Sequence, residues 1–191
     1  MTGQYAFLTK LVAQLEQAGI EYMLAGSVGS SLHGHPRATQ DVDIVITPTQ
    51  EQLYVFLASL GETIYVSPDA AYQALQHYTM FNVIDMESGW KADLIIRKTR
   101  AFSREEFDRR QSLDLSNHQF WVVSPEDVIL SKLEWVKEGE SEVQYADALG
   151  VAVVNYHSLD LDYLKKWAAE IGVSEALDRL LSEAQENISK R

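Results

Sequence analysis

The sequence predicts an α+β fold: a mixed β-sheet flanked by helices over residues 1–123, then a helical region over 124–191 packed on it. Three observations carry this reading. Short apolar runs bounded by turn residues alternate with helical spacings as far as Val123. The pattern changes at Ser124 and is helical from there on. Finally, 191 residues with 46% hydrophobic and 23% charged side chains are an ordinary globular balance, enough for a domain with a short appendix.

The elements follow in order. Phe7, Leu8, Leu11, Val12 and Leu15 sit at helical spacing within residues 4–18, and Gly19 ends that helix. Glu21-Tyr-Met-Leu-Ala-Gly reads as a short buried strand, and the segment from Ser27 to Gly34 as a short helix or turn. Asp41-Val-Asp-Ile-Val-Ile is a strand, and Thr49 caps a helix over Gln50 to Leu60. Thr79 to Asp85 and Trp90 to Ile96 are strands joined by a hairpin-like Glu87-Ser88-Gly89. A helix from about Arg104 to Arg110 and a strand near Gln119 to Val123 close this half. Ser124-Pro125-Glu126-Asp127 is a helix start, with Ser at the cap, Pro at the first position and acids at the positive helix end. Three apolar stripes follow: Ile129, Leu133 and Val136; Leu161, Leu164, Ala168 and Ile171; Leu177, Leu180, Leu181 and Ala184. Core packing accounts for Trp90, Trp121, Trp135 and Trp167. The charges from Arg104 to Arg110 read as a solvated helix face.

Composition narrows the function. No cysteine is present, which excludes disulfides, thiolate zinc sites and a thiol nucleophile. No apolar run approaches the roughly 20 residues of a membrane span, and the start of the chain is an amphipathic helix rather than a signal peptide, so a soluble, cytoplasmic protein without a membrane partner is expected. With 16 Lys+Arg against 28 Asp+Glu, the formal charge is -12. A protein that grips a long polyanion usually shows a basic face, so extensive duplex binding is not expected. A small polyphosphate, neutralised by a metal and a few local cations, remains compatible.

The chemistry is concentrated between Glu21 and Ile46. Period two puts Asp41 and Asp43 on one face of their strand, about 6–7 Å apart along the backbone, while Val42, Ile44 and Ile46 face the core. Two adjacent carboxylates repel each other. A divalent cation removes that penalty, and hard oxygen ligands suit magnesium or manganese. An Asp-x-Asp triplet recurs by chance and needs context. Gly26-Ser27 supplies it, following a buried strand directly, with Gly29, Ser30 and Ser31 close behind. Glycine lets backbone approach a phosphate, and hydroxyls such as those of Ser27 and Ser30 can bind its oxygens at a helix start. Asp93 is a third carboxylate, in a strand whose Ala92, Leu94 and Ile96 face the other way. An acid inside a buried strand is costly unless paired or metal-bound. His33 and His35, two apart, suit a loop or nucleotide-side contact better than a zinc site.

These motifs together resemble the nucleotidyltransferase superfamily that includes the DNA polymerase β-like and minimal nucleotidyltransferases. That family carries a hydrophobic strand, Gly-Ser or Gly-Gly, Asp-x-Asp and a later third Asp. Here they are Leu24-Ala25-Gly26-Ser27, Asp41-Val42-Asp43 and Asp93. More narrowly, the segment from Leu24 to Ile46 resembles bacterial AbiEii-like toxins and related nucleotidyltransferases, and Ser124 to Trp135 resembles that group's helix with a nucleotide-contacting lysine. The resemblance covers residues 20 to 150. It implies that Asp41, Asp43 and Asp93 hold Mg2+ or Mn2+ and are catalytic. It implies that Gly26 and Ser27 hold the triphosphate, that Arg37 and Thr39 orient phosphate, that Lys132 sets a point charge against the nucleotide and that Asp147 is the acid following the lysine helix. Val143 and Ala146 stand where many relatives carry basic residues.

The function expected is transfer of a nucleoside monophosphate from a nucleoside triphosphate to a hydroxyl of a protein, an RNA or a small molecule such as an aminoglycoside. A toxin would bring an antitoxin or a second copy as partner. The acidic balance and the missing basic residues argue against tRNA as the acceptor. The competing readings are a non-catalytic nucleotide-binding or protein-interaction module on the same fold, and a scaffold that dimerises through its helices.

Overall fold

The computed structural model describes residues 3–36, 41–116, 118–139 and 141–190. The chain divides into two compact units, one of Met1–Leu24 and Thr39–Val122, the other of Ala25–Ala38 and Val123–Arg191.

The first unit is built on a mixed sheet, as the sequence pattern predicts, and the sheet has seven strands, two more than the pattern shows. Its strands are β1 (Tyr22–Leu24), β2 (Asp41–Ile46), β3 (Ile64–Val66), β4 (Met80–Asp85), β5 (Lys91–Ile96), β6 (Gln111–Leu115) and β7 (His118–Val122), in the spatial order β3-β4-β5-β2-β1-β7-β6. Two pairings, β2 with β5 and β1 with β7, are parallel, and the others, including β1 with β2 between them, are antiparallel. Val42, Ile44, Ile46, Ala92, Leu94, Phe81 and Val83 are buried, so alternation assigns one apolar face as expected.

Helices α1 (Gly3–Gln17), α3 (Gln50–Ser59) and α4 (Pro68–His77) pack side by side, with α4 against β4 and β5. Gly19, at φ +69°, ends α1 by a Schellman turn in which Ile20 N–H reaches the Leu15 carbonyl and Gly19 N–H that of Glu16. Thr49 caps α3 through a complete capping box with Gln52. The predicted helix near Arg104 is α5 (Ala101–Asp108).

The second unit is helical: α2 (Gly26–His33), α6 (Pro125–Gly139), α7 (Glu142–Asn155), α8 (Leu161–Ile171) and α9 (Ser174–Ser189). α6, α7 and α9 pack on one another, and α2 lies against α6 and α7. Gly34 makes that approach sterically workable, because a Cβ there would come 2.9 Å from the Ser30 carbonyl and 3.0 Å from the Val151 nitrogen.

Two sequence readings are corrected here. Trp167 is the one buried tryptophan, whereas Trp121 and Trp135 are exposed, as is Leu161 at the start of α8. The charged face after Arg104 is not wholly solvated either. The Arg110 guanidinium lies 4.3 Å from the Phe107 ring centre and 5.2 Å from that of Trp121, and it pairs with Glu21 at 2.8 Å.

Candidate functional site

The register of β2 on β5 assembles the acids. Asp41 pairs with Lys91 and Asp43 with Asp93. Cross-strand partners share a face, so Asp41, Asp43, Lys91 and Asp93 all project from the face opposite Val42 and Leu94. Strand spacing puts the Cα atoms of Asp43 and Asp93 about 4.8 Å apart. Asp93 is the most enclosed, its side chain 12% exposed against 49% for Asp41.

Two partners that the sequence reading missed hold this face. Asn82, the neighbour of Asp93 on β4, donates its side-chain amide to Asp93 Oδ1. The Lys91 ammonium lies 3.4 Å from Asp41 Oδ2 and 3.2 Å from Asp93 Oδ1. Burial alone would pull the Lys91 pKa down. The hydrogen bonds and charges of Asp93 and Asp41 outweigh it and hold the pKa above the ordinary lysine value. Asn82 could have been found by counting back across the hairpin at Glu87-Ser88-Gly89. Period two also sets Lys91 on the face of Asp93, two residues along the same strand, but its place beside Asp41 depends on the β2–β5 register, which local sequence does not encode.

The donor chemistry suits a divalent metal, since carboxylate oxygens on neighbouring strands are hard ligands and a cation, the Lys91 ammonium, is already drawn between two of them. Among the described residues no group of three His, Cys, Asp or Glu converges as a ready-made metal site.

The other expected residues that the structure describes lie in the helical unit. Gly26 opens α2 at φ +55°, a conformation that disfavours any side chain, and the cap residue Ala25 brings no side-chain acceptor to the first turn. Ser27 and Ser30 are buried. Ser30 Oγ lies 3.1 Å from the Ser27 carbonyl and 3.4 Å from Asp147 Oδ2. Lys132 is no solvated helix lysine: its side chain is 6% exposed and its ammonium is 2.9 Å from Asp147 Oδ2. Lys132, Asp147 and Ser30 therefore form one buried polar network joining α6, α7 and α2. Arg37 and Thr39 lie outside the described residues. His33 donates from Nε2 to the Val123 carbonyl at 2.7 Å, while His35 packs against Gly150.

The helix start at Ser124 carries a second network that the sequence reading took only as a cap. Asp127, fully buried, accepts from Ser124 Oγ and from Tyr163 OH, each at 2.6 Å, and so ties α6 to α8.

No family model matches the chain, and no curated protein matches it. Among solved structures it is similar to an antigenic nucleotidyltransferase-like protein from Paracoccidioides brasiliensis, at 16% identity and TM-score 0.59 over 95% of this chain and 93% of that one. It is also similar to ANT(2'')-Ia in complex with adenylyl-2''-tobramycin, at 12% identity and TM-score 0.58 over 89% of this chain and 97% of that one. A solution structure of the antibiotic-resistance factor ANT(2'')-Ia aligns at 11% identity and TM-score 0.56 over 100% of this chain and 99% of that one. These likenesses concern the fold, and the fold of this chain is that of nucleotidyltransferase-like proteins.

Proposed function

We propose that the chain is a metal-dependent nucleotidyltransferase that moves a nucleoside monophosphate from a nucleoside triphosphate to a hydroxyl acceptor. The observation that carries this reading is the register of β2 on β5, which sets Asp43 beside Asp93 with Asp41 on the same face. The shared fold with ANT(2'')-Ia, solved with adenylyl-2''-tobramycin, supports it.

In this reading Asp41, Asp43 and Asp93 hold Mg2+ or Mn2+, which when bound supplies charge neutralisation to the triphosphate and acidifies the acceptor hydroxyl. Asp93 is oriented by Asn82. In the helical unit, Gly26 and Ser27 present backbone and hydroxyl donors to triphosphate oxygens. Lys132 acts through Asp147, fixing the α2 segment that carries Ser27 and Ser30. An AbiEii-like toxin role, with an antitoxin or second copy as partner, is the narrower form of the proposal and rests on the motif resemblance.

Nucleotide affinity measured by calorimetry with and without Mg2+, on the wild type and Asp43→Ala, tests the proposal. Tighter binding with Mg2+ that disappears in Asp43→Ala is expected. Equal affinity in all four measurements would replace the transferase with a nucleotide-binding module.

A further inference from the structure

We propose that Lys91 is a displaceable counter-cation of the acidic face, which neutralises Asp41 and Asp93 until a divalent metal takes their oxygens and which thereby sets how tightly that metal binds. The inference rests on the metal-binding role proposed for these acids.

The argument begins with position. Lys91 stands directly beside Asp41 across the β2–β5 pairing and two residues before Asp93 on its own strand, so the register itself delivers the ammonium to both carboxylates. It contacts both, at 3.4 and 3.2 Å. Three carboxylates on one sheet face repel one another, and the Lys91 ammonium offsets part of that repulsion at Asp41 and Asp93.

A metal and this ammonium are not compatible at the same oxygens. A divalent ion binds carboxylate oxygen at roughly 2.0–2.6 Å. With the ammonium 3.2 Å from Asp93 Oδ1, two like charges would then share one acceptor. Lys91 can move and Asn82 has no need to. The lysine side chain is 30% exposed on a flexible four-carbon stem, so it can swing outward. The Asn82 amide is neutral and can keep its bond to Asp93 Oδ1 beside a metal.

A permanent clamp makes the opposite prediction. If Lys91 served to position the carboxylates, removing its charge would loosen them and weaken metal binding. Exposed ion pairs contribute little each, so two such pairs given up on metal binding correspond to an effect of about three- to tenfold.

The test is Mn2+ binding to the full chain, read from the free-ion electron paramagnetic resonance signal, for wild type, Lys91→Met, Lys91→Arg and Asp43→Asn, with melting temperatures alongside. Lys91→Met is expected to bind Mn2+ about three- to tenfold more tightly than wild type, Lys91→Arg to stay near wild type, and Asp43→Asn to lose binding. Equal or weaker binding by a folded Lys91→Met, with Asp43→Asn still deficient, would overturn the role of Lys91 and leave the metal-binding acids standing. No binding by wild type or Lys91→Met would remove both.

A second measurement on wild type covers the case in which Lys91→Met does not fold. Acylation of Lys91 by an amine-reactive reagent, followed by peptide mass, should speed up several-fold when Mn2+ is added. An unchanged rate would overturn the proposal.

Discussion

Lys132 and Asp147, which the motif resemblance puts at the nucleotide, form an ion pair 2.9 Å long inside the helical unit. With side chains 6% and 11% exposed, the pair is largely desolvated. Removing one partner strands a buried charge, at a cost of about 3–5 kcal/mol, while removing both with apolar groups is often nearly neutral. Lys132→Met should therefore lower unfolding stability in denaturant by that amount, and the double change Lys132→Met/Asp147→Leu should recover most of it. Additive losses would mean that the pair is not coupled. His33 belongs to the same scale. Its burial pushes the pKa below the ordinary 6.5, outweighing the Val123 hydrogen bond and the attraction of Glu126. The fold thus favours the neutral ring, so its contribution is full above about pH 6.5 and declines as the pH falls below that value. Thermal melts between pH 7.5 and 5 should show this decline, and His33→Gln should flatten it. An equal slope in the variant would assign the dependence to other groups.

At the level of elements, much of the fold was legible because the local signals were strong. The strand Asp41–Ile46, the capping box at Thr49, the Gly19 stop and the Ser124-Pro125 start all stand where their chemistry places them. Three elements were missed. β3 is three residues long, too short for a usable alternation, and β6 at the opposite sheet edge alternates over only four residues, Ser112 to Leu115. α4 did carry a signal, since Ser67-Pro68-Asp69 repeats the chemistry of Ser124-Pro125-Glu126, and Ser67 accepts from the Ala70 N–H as a cap should. Its far end is unusual. Tyr78 closes α4 in the left-handed region at φ 54°, where a β-carbon is unfavourable, and its side chain is exposed. Tyr78→Gly is expected to raise stability by about 0.5–1 kcal/mol in equilibrium urea unfolding. A loss instead would show that the tyrosine ring contributes more than its backbone costs.

At the scale of the molecule, the sequence supplied the identities of the three acids but not their company. Alternation within one strand gives the face of Asp41 and Asp43, and the same rule gives that of Asp93. Only strand order and register bring Asp43 beside Asp93, and those are long-range properties fixed by packing. The place of Lys91 beside Asp41 is hidden for the same reason, although alternation already sets it on the face of Asp93. The formal charge of -12 gives the chain no bulk affinity for polyanions, so the triphosphate binding we propose calls for local, metal-assisted neutralisation. The central claim is that this acidic face carries out nucleotidyl transfer. It is tested most directly by incubating the protein with each of the four α-labelled nucleoside triphosphates, Mg2+ and a bacterial extract, beside an Asp41→Ala/Asp43→Ala control. Label on a protein, RNA or small molecule with the wild type alone is the expected result and names the acceptor class. The absence of label with every triphosphate, together with a melting temperature unmoved by nucleotide and Mg2+, would contradict it.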